Sequence, residues 1–203
     1  MHQKAILVSV ISEINKHNRS ELKRTTAQLA TIAILFAMCS SEYLKVQKAD
    51  QQRAEPIRLR NILFFKGSKL LKHNHQELEF ADCIALTFEH QKKDEKMDTV
   101  LLMVSKDLLL CPARAAAAIA RQIMKYPGSS KNSPISTVLL NGIIDQVTSS
   151  HMVDALRDAV VAIGEVTLGV KKEEVGTHSI RSGTAMAIYH GKCPVFMIMS
   201  IGC

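Results

Sequence analysis

The stretch from Leu29 to Cys39, LATIAILFAMC, sets the first constraint on this chain. Its eleven residues carry no charge and a single hydroxyl. A bilayer needs roughly 20 such residues, so the run is too short to span one. It reads as a helix buried on most sides, which is stable only inside a body of other elements. The chain can supply that body: 203 residues with 47% hydrophobic content suffice for one domain with a proper core.

The pattern around the run is helix, small sheet, helix. Ile6, Val8, Val10, Ile11 and Ile14 fit a first helix that ends near the polar KHNRS, and Ser20 precedes the second helix. Residues 45–60 are polar and basic, and Pro56 forbids a regular helix there. Three strands are expected, over about 57–65, 83–90 and 98–104, the first stopped by Lys66-Gly67-Ser68. HQKKDEKMD connects the last two as a charged hairpin. Three short strands cannot stand alone, so they must pack on the helices. Pro112 suits a first helical position and ARAAAAIARQIM follows with strong propensity. YPGSSKNSP reads as a loop. Met152, Leu156, Ala159, Val160 and Ile163 make an apolar face at helical spacing, with Ser149 or Ser150 before it as cap. A last helix is expected from Thr177, as its cap, to about Tyr189, and Val195 to Ile201 is a further apolar segment. The fold class is therefore α+β, mostly α, with a small three-stranded antiparallel sheet.

Charge narrows the partners. Twenty-six Lys and Arg against 19 Asp and Glu give +7, which makes polyanions the first class to consider. Trp is absent and aromatics are 4%, which argues against stacking on single-stranded bases as the main binding mode. Five cysteines, scattered without a CxxC, argue against a disulfide framework or a zinc ribbon and fit a reducing compartment, nuclear or cytoplasmic rather than secreted. The N-terminus makes a poor signal peptide.

Four groups of residues could carry chemistry. In Thr177-His178-Ser179-Ile180-Arg181-Ser182-Gly183, His178 and Arg181 share one helix face. Arg offers a rigid fork of donors for a phosphate and His a donor or a proton-transfer group. The bland alternative is a surface His and a snorkelling Arg. Lys92 and Lys93 could reach from the hairpin into a cleft and protonate a leaving alkoxide, or be a solvated turn. Cys39-Ser40-Ser41-Glu42 closes the buried helix, with an ordinary cap as its plain reading. His73, His75, Asp82 and Cys83 could serve a metal-dependent hydrolase, His73 and His75 sharing one face of a strand; HNHQE reads equally as a loop.

Several separated pieces together resemble the catalytic domain of tyrosine recombinases, the phage-integrase family, in the versions carried by eukaryotic mobile elements. They are ATIAILFAMCSSEYLKV, RLRNILFF with FADCIALTFEHQKKDEKMDTV, LLCPARAAAAIARQI, and GTHSIRSGTAMAIYHG with MSIG. The resemblance covers residues 20–203 and leaves 1–19 as an N-terminal helix or linker remnant. It implies that Arg181 is the family's second arginine and His178 its histidine partner. Lys93, or its neighbour Lys92, would be the hairpin lysine that protonates the leaving 5′-hydroxyl, and the Lys92–Lys93 turn should then approach the His178–Arg181 face. Glu42 would be the acidic residue standing three after the first arginine. The family's tyrosine attacks a phosphodiester and leaves a 3′-phosphotyrosine, with no metal, ATP or other cofactor. Arg58, Arg60, Lys66 and Lys69 fall in the basic segment expected to hold duplex DNA. No membrane or small-molecule substrate is implied, and oligomerisation on DNA is left open. Two departures matter. Cys39 stands where the first arginine belongs, and a neutral thiol offers no planar cationic fork. By spacing, the nucleophilic tyrosine falls past Cys203, so this copy is expected to be inactive. A non-catalytic DNA-binding module derived from a mobile element is the alternative.

Overall fold

A computed structural model describes residues 4–6, 8–16, 19–45, 56–89 and 98–192. Helix α2 (Glu21–Leu35) is the element around which the rest assembles. Ser20 caps it, its side chain accepting from the Lys23 N–H at 3.2 Å. Leu29, Ala30, Ile32 and Ala33 are fully buried, and each large side chain so buried is worth about 1.5–3 kcal/mol. Burial also takes in Thr25, Thr26 and Thr31. Their hydroxyls donate to the carbonyls four residues back, Glu21, Leu22 and Ala27, so no hydroxyl is stranded. The helix stops at Leu35 and does not run on to Cys39. Ala37 takes a left-handed φ of 53°, and the Met38 N–H reaches back to the Ala33 carbonyl at 2.9 Å. This cap turns the chain so that Cys39 opens the one-turn helix α3 (Ser40–Tyr43).

Helix α1 (Val8–Lys16) lies against α2 and α5 (Ser149–Ile163). Its Val10, Ile11 and Ile14, with Ile6 before it, are buried in the common core. The expected boundary between residues 19 and 20 thus falls inside one packed body. The amphipathic spacing of the first apolar residues has its physical reason there: they cover α2.

The sheet has four strands, one more than expected: β1 (Ile62–Lys66), β2 (Lys69–Leu71), β3 (Cys83–Phe88) and β4 (Asp98–Met103). All pairs are antiparallel in the order β2-β1-β3-β4. β1 stops at Gly67-Ser68 as expected, and this pair makes a two-residue turn into β2, with Lys66 paired to Lys69. Ile62, Phe64, Ile84 and Leu86 face the helices, while Leu63 and Leu101 face outward, the period-two alternation of a half-buried sheet. β1 also starts later than expected. Residues 59–61 form a 3-10 turn, held by the Asn61 side chain accepting from the Arg58 N–H at 2.8 Å. Their backbone bonds instead to the 131–135 segment, with Leu59 N–H to Ser133 at 3.0 Å and Arg60 N–H to Lys131 at 2.7 Å.

Helix α4 (Pro112–Ile123) begins at its proline. A second hairpin, β5 (Thr137–Leu140) and β6 (Ile143–Gln146), was not anticipated. Its turn is Asn141-Gly142, both with positive φ, the geometry that twists with the strands. α5 takes Thr148 as its cap, one residue before Ser149, its hydroxyl accepting from the His151 N–H. The short α6 (Glu165–Leu168) lies between Gly164 and Gly169. Helix α7 (Thr177–His190) starts at Thr177, with Gly176 as the cap. The apolar segment from Val195 lies outside the described residues.

Candidate phosphate-binding site

Helix α7 carries His178 and Arg181, and its orientation follows from its small inner residues. Ser179, Ile180, Gly183 and Thr184 are buried. The Thr184 hydroxyl donates to the Ile34 carbonyl of α2 at 2.6 Å. A Cβ on Gly183 would stand 2.4 Å from the Ile6 carbonyl oxygen, so only glycine lets the N-terminal segment lie this close. With that face fixed, His178 is exposed and Arg181 half-buried.

Arg181 meets the end of the buried run. Its Nη1 donates to the Cys39 sulfur, a contact between residues 142 apart in the chain. Glu42 holds Cys39 from the other side, its Oε2 accepting from the Cys39 N–H at 2.6 Å. Tyr43 follows on α3 with no exposed surface. Burial, and then the neighbouring Cys39 and Glu42, push its phenol far above the ordinary tyrosine range. Among the described residues its hydroxyl has no hydrogen-bond partner. Glu42 also lines a small cleft with Pro56, Ile57, Asn61, Thr87, Phe88 and Glu89. The end of β3 therefore borders Glu42 across this cleft. Lys92 and Lys93 themselves lie outside the described residues.

The basic segment divides in two. At the near end of β1, Arg60 donates from Nε and Nη2 to the two carboxylate oxygens of Glu89 at 3.1 and 2.8 Å, and from Nη1 to the Asn132 side chain at 3.1 Å. Arg58 Nη1 donates to the Asn132 carbonyl at 2.8 Å. Both arginines thus help to fix the 131–135 segment against the sheet. At the other end of β1, Lys66 pairs with Glu77 at 2.8 Å and sits 6.0 Å from the Phe80 ring centre. That lysine's hydrogen bond is the main reason the Glu77 carboxyl lies below its ordinary range. Lys69 is exposed in the same hairpin. Four strand residues at about 3.4 Å each separate this tip from the Glu42 end, so Lys66 and Lys69 do not belong to the Arg181 site. Nothing in the sequence marks Glu89 or Asn132 as partners, because they lie 29 and 72 residues from Arg60.

The four candidate metal ligands are used otherwise. His73 Nε2 bonds the Ile62 carbonyl at 2.9 Å, His75 Nδ1 accepts from the Glu77 N–H at 3.1 Å, and Asp82 accepts from the Gly67 N–H at 2.6 Å. Cys83 pairs with Phe65 and Met103 across the sheet. Among the described residues no three His, Cys, Asp or Glu side chains are grouped to hold a metal ion, and no helix is long and apolar enough to cross a membrane.

No protein-family model, no curated protein and no solved structure matches the chain. The arrangement can be read only by its chemistry. One cationic fork, one acid and one thiol converge, with one of the five donors of Arg181 spent on sulfur. An oxyanion such as a phosphodiester is the ligand such a fork fits.

Proposed function

We propose that this chain is a duplex-DNA-binding domain of the tyrosine-recombinase type that engages a backbone phosphate through Arg181 and does not by itself break the strand. The observation that carries the reading is convergence. Arg181 of α7 meets Cys39, whose N–H is held by Glu42, although the two motifs lie 142 residues apart. A folding core alone gives no reason for a half-buried guanidinium to be directed at that corner. His178, one helical turn from Arg181, lies within reach of the same phosphate.

The same geometry argues against cleavage. Cys39 brings no second cation, and losing one transition-state donor typically costs ~10²–10³ in rate. None of the three tyrosines of the sequence is presented to Arg181 as a nucleophile. Tyr43 is buried, and Tyr126 donates to Glu21. Tyr189 lies eight residues along α7 from Arg181, about 12 Å at 1.5 Å per residue.

Binding is measured by fluorescence anisotropy on an arbitrary duplex across a salt series. Weak, sequence-tolerant binding that falls steeply with salt is expected, since each neutralised phosphate releases counterions. Arg181→Ala should weaken it and reduce the salt slope by about one. No binding at low salt, or binding indifferent to salt, refutes the reading. A nicked suicide duplex tests the second half: a covalent adduct of the 203-residue chain on a denaturing gel refutes the absence of cleavage.

A further inference from the structure

We propose that Cys39 is a site of reversible oxidation, at which a hydroperoxide converts the thiol to a sulfenic acid held between Arg181 and Tyr43. Three observations on different elements lead there. Cys39 is half-buried, so a small oxidant can reach it, and Arg181 Nη1 donates directly to its sulfur. Reactive cysteines are commonly partly exposed and lie beside a cation, as Cys39 does beside Arg181. The buried Tyr43 hydroxyl has no acceptor among the described residues, and this is the costly state of a buried donor. Tyr43 stands four residues after Cys39, at the far end of the one-turn helix that Cys39 caps, a spacing that puts the two side chains on one face.

The other described thiols differ. Cys111 is buried with 2% of its surface exposed. Cys83 is half-buried like Cys39, but its cross-strand neighbours are Phe65 and Met103. Of these three cysteines, Cys39 alone takes a hydrogen bond from an arginine.

The step balances. The sulfur gives its proton to solvent and attacks one peroxide oxygen. The O–O bond breaks as the S–O bond forms, and the departing oxygen takes up a proton and leaves as water or an alcohol. Sulfur is oxidised by two electrons and the peroxide is reduced by two. The new oxygen can accept from the Arg181 guanidinium and the Tyr43 hydroxyl, and the orphaned donor is then satisfied. A small thiol reverses the change: it condenses with the sulfenic acid to a mixed disulfide, releasing water, and a second thiol frees Cys39. Glu42, bound to the Cys39 N–H, keeps its place throughout. Oxidation would also hold Arg181 away from a phosphate; that consequence rests on the DNA reading above, whereas the modification does not.

The test uses the full chain with hydrogen peroxide, a 1,3-dicarbonyl trap for sulfenic acids, and peptide mass spectrometry. The adduct should form at Cys39 at least about tenfold faster than at Cys83. Arg181→Ala should lower the Cys39 rate about tenfold, the value of one charge-assisted hydrogen bond, and Arg181→Lys should lower it less. Tyr43→Phe should leave formation unchanged and shorten the lifetime of the sulfenic acid. Equal rates at Cys39 and Cys83 overturn the proposal, as does a Cys39 rate indifferent to Arg181→Ala. An unchanged lifetime in Tyr43→Phe overturns the part given to the tyrosine. If Arg181→Ala does not fold, the ratio of Cys39 to Cys83 in the unaltered chain decides alone. Binding to DNA is not needed for any of these readouts.

Discussion

Replacing Gly183 by alanine sets two effects of known sign against each other. In a helix interior alanine is favoured over glycine by about 1 kcal/mol. At this position the added methyl would stand 2.4 Å from the Ile6 carbonyl oxygen and 3.2 Å from the Ile6 Cγ1. The obstacle is backbone and is itself tied down. The Ile6 N–H donates to the Ser179 carbonyl at 3.3 Å and the Lys4 N–H to the Glu174 carbonyl at 2.9 Å. Ile6 keeps only 3% of its surface exposed. Lifting residues 4–6 off α7 would forfeit about 1.5–3 kcal/mol of burial and about 1 kcal/mol for each hydrogen bond. A partial shift, the less costly response to an overfilled core, costs about 1–3 kcal/mol. With a backbone oxygen only 2.4 Å away, the steric cost lies in the upper part of that range, about 2–3 kcal/mol, so after the propensity gain of about 1 kcal/mol the expected net loss is about 1–2 kcal/mol. For a chain of this size that lowers Tm by roughly 2–8 °C. Urea denaturation should show a lower midpoint with an unchanged slope, and hydrogen exchange should quicken at the Ile6 amide. A Gly183→Ala variant as stable as the parent, or more stable, would refute the close packing of the N-terminal segment on α7.

Three further outcomes are expected. Tyr43→Phe removes a buried hydroxyl that has no partner among the described residues and should stabilise the reduced protein by about 1 kcal/mol; destabilisation in denaturant melts would mean that the hydroxyl is bonded. Tyr126 is pushed up from 10.0 to about 12, first by burial and then by the bond to Glu21. Because the neutral phenol is the bonded form, its contribution is complete below the unfolded value and is lost as pH rises through the folded one. Stability should fall between pH 10 and 12, and Tyr126→Phe should flatten that fall; a parallel curve would refute it. Gly142 has a φ of 82° with nothing within 4 Å of an added Cβ, so Gly142→Ala should cost only the strain of a left-handed backbone, about 1 kcal/mol. A loss well above that in thermal melts would point to a contact at the β5–β6 turn.

Local order was legible in the residues wherever a short-range pattern dictates it. The uncharged run from Leu29 had to be buried, and α2 is the centre of the core. Cys83 to Phe88 read as a strand and is β3, Pro112 marked the start of α4, and the period of Met152, Leu156, Ala159 and Val160 marked the buried face of α5. The β5–β6 hairpin was missed: Asn141-Gly142 between apolar residues is its signal, but the strand pattern around it is only four residues on each side. β2 escaped because three residues after a turn carry too little periodicity to declare a strand.

Tertiary structure decided what short-range patterns do not contain. The sequence names Cys39, Glu42 and Arg181 as candidates, but a contact between residues 142 apart depends on how α2 ends and how α7 lies across it. That in turn depends on a left-handed Ala37 and a glycine at 183. Net charge likewise counts Arg58, Arg60 and Lys66 as available to a polyanion. Folding gives each a partner, Asn132, Glu89 and Glu77 respectively. Composition fixes how many charges a chain carries; only the packed backbone decides which of them meet each other and which still face a ligand.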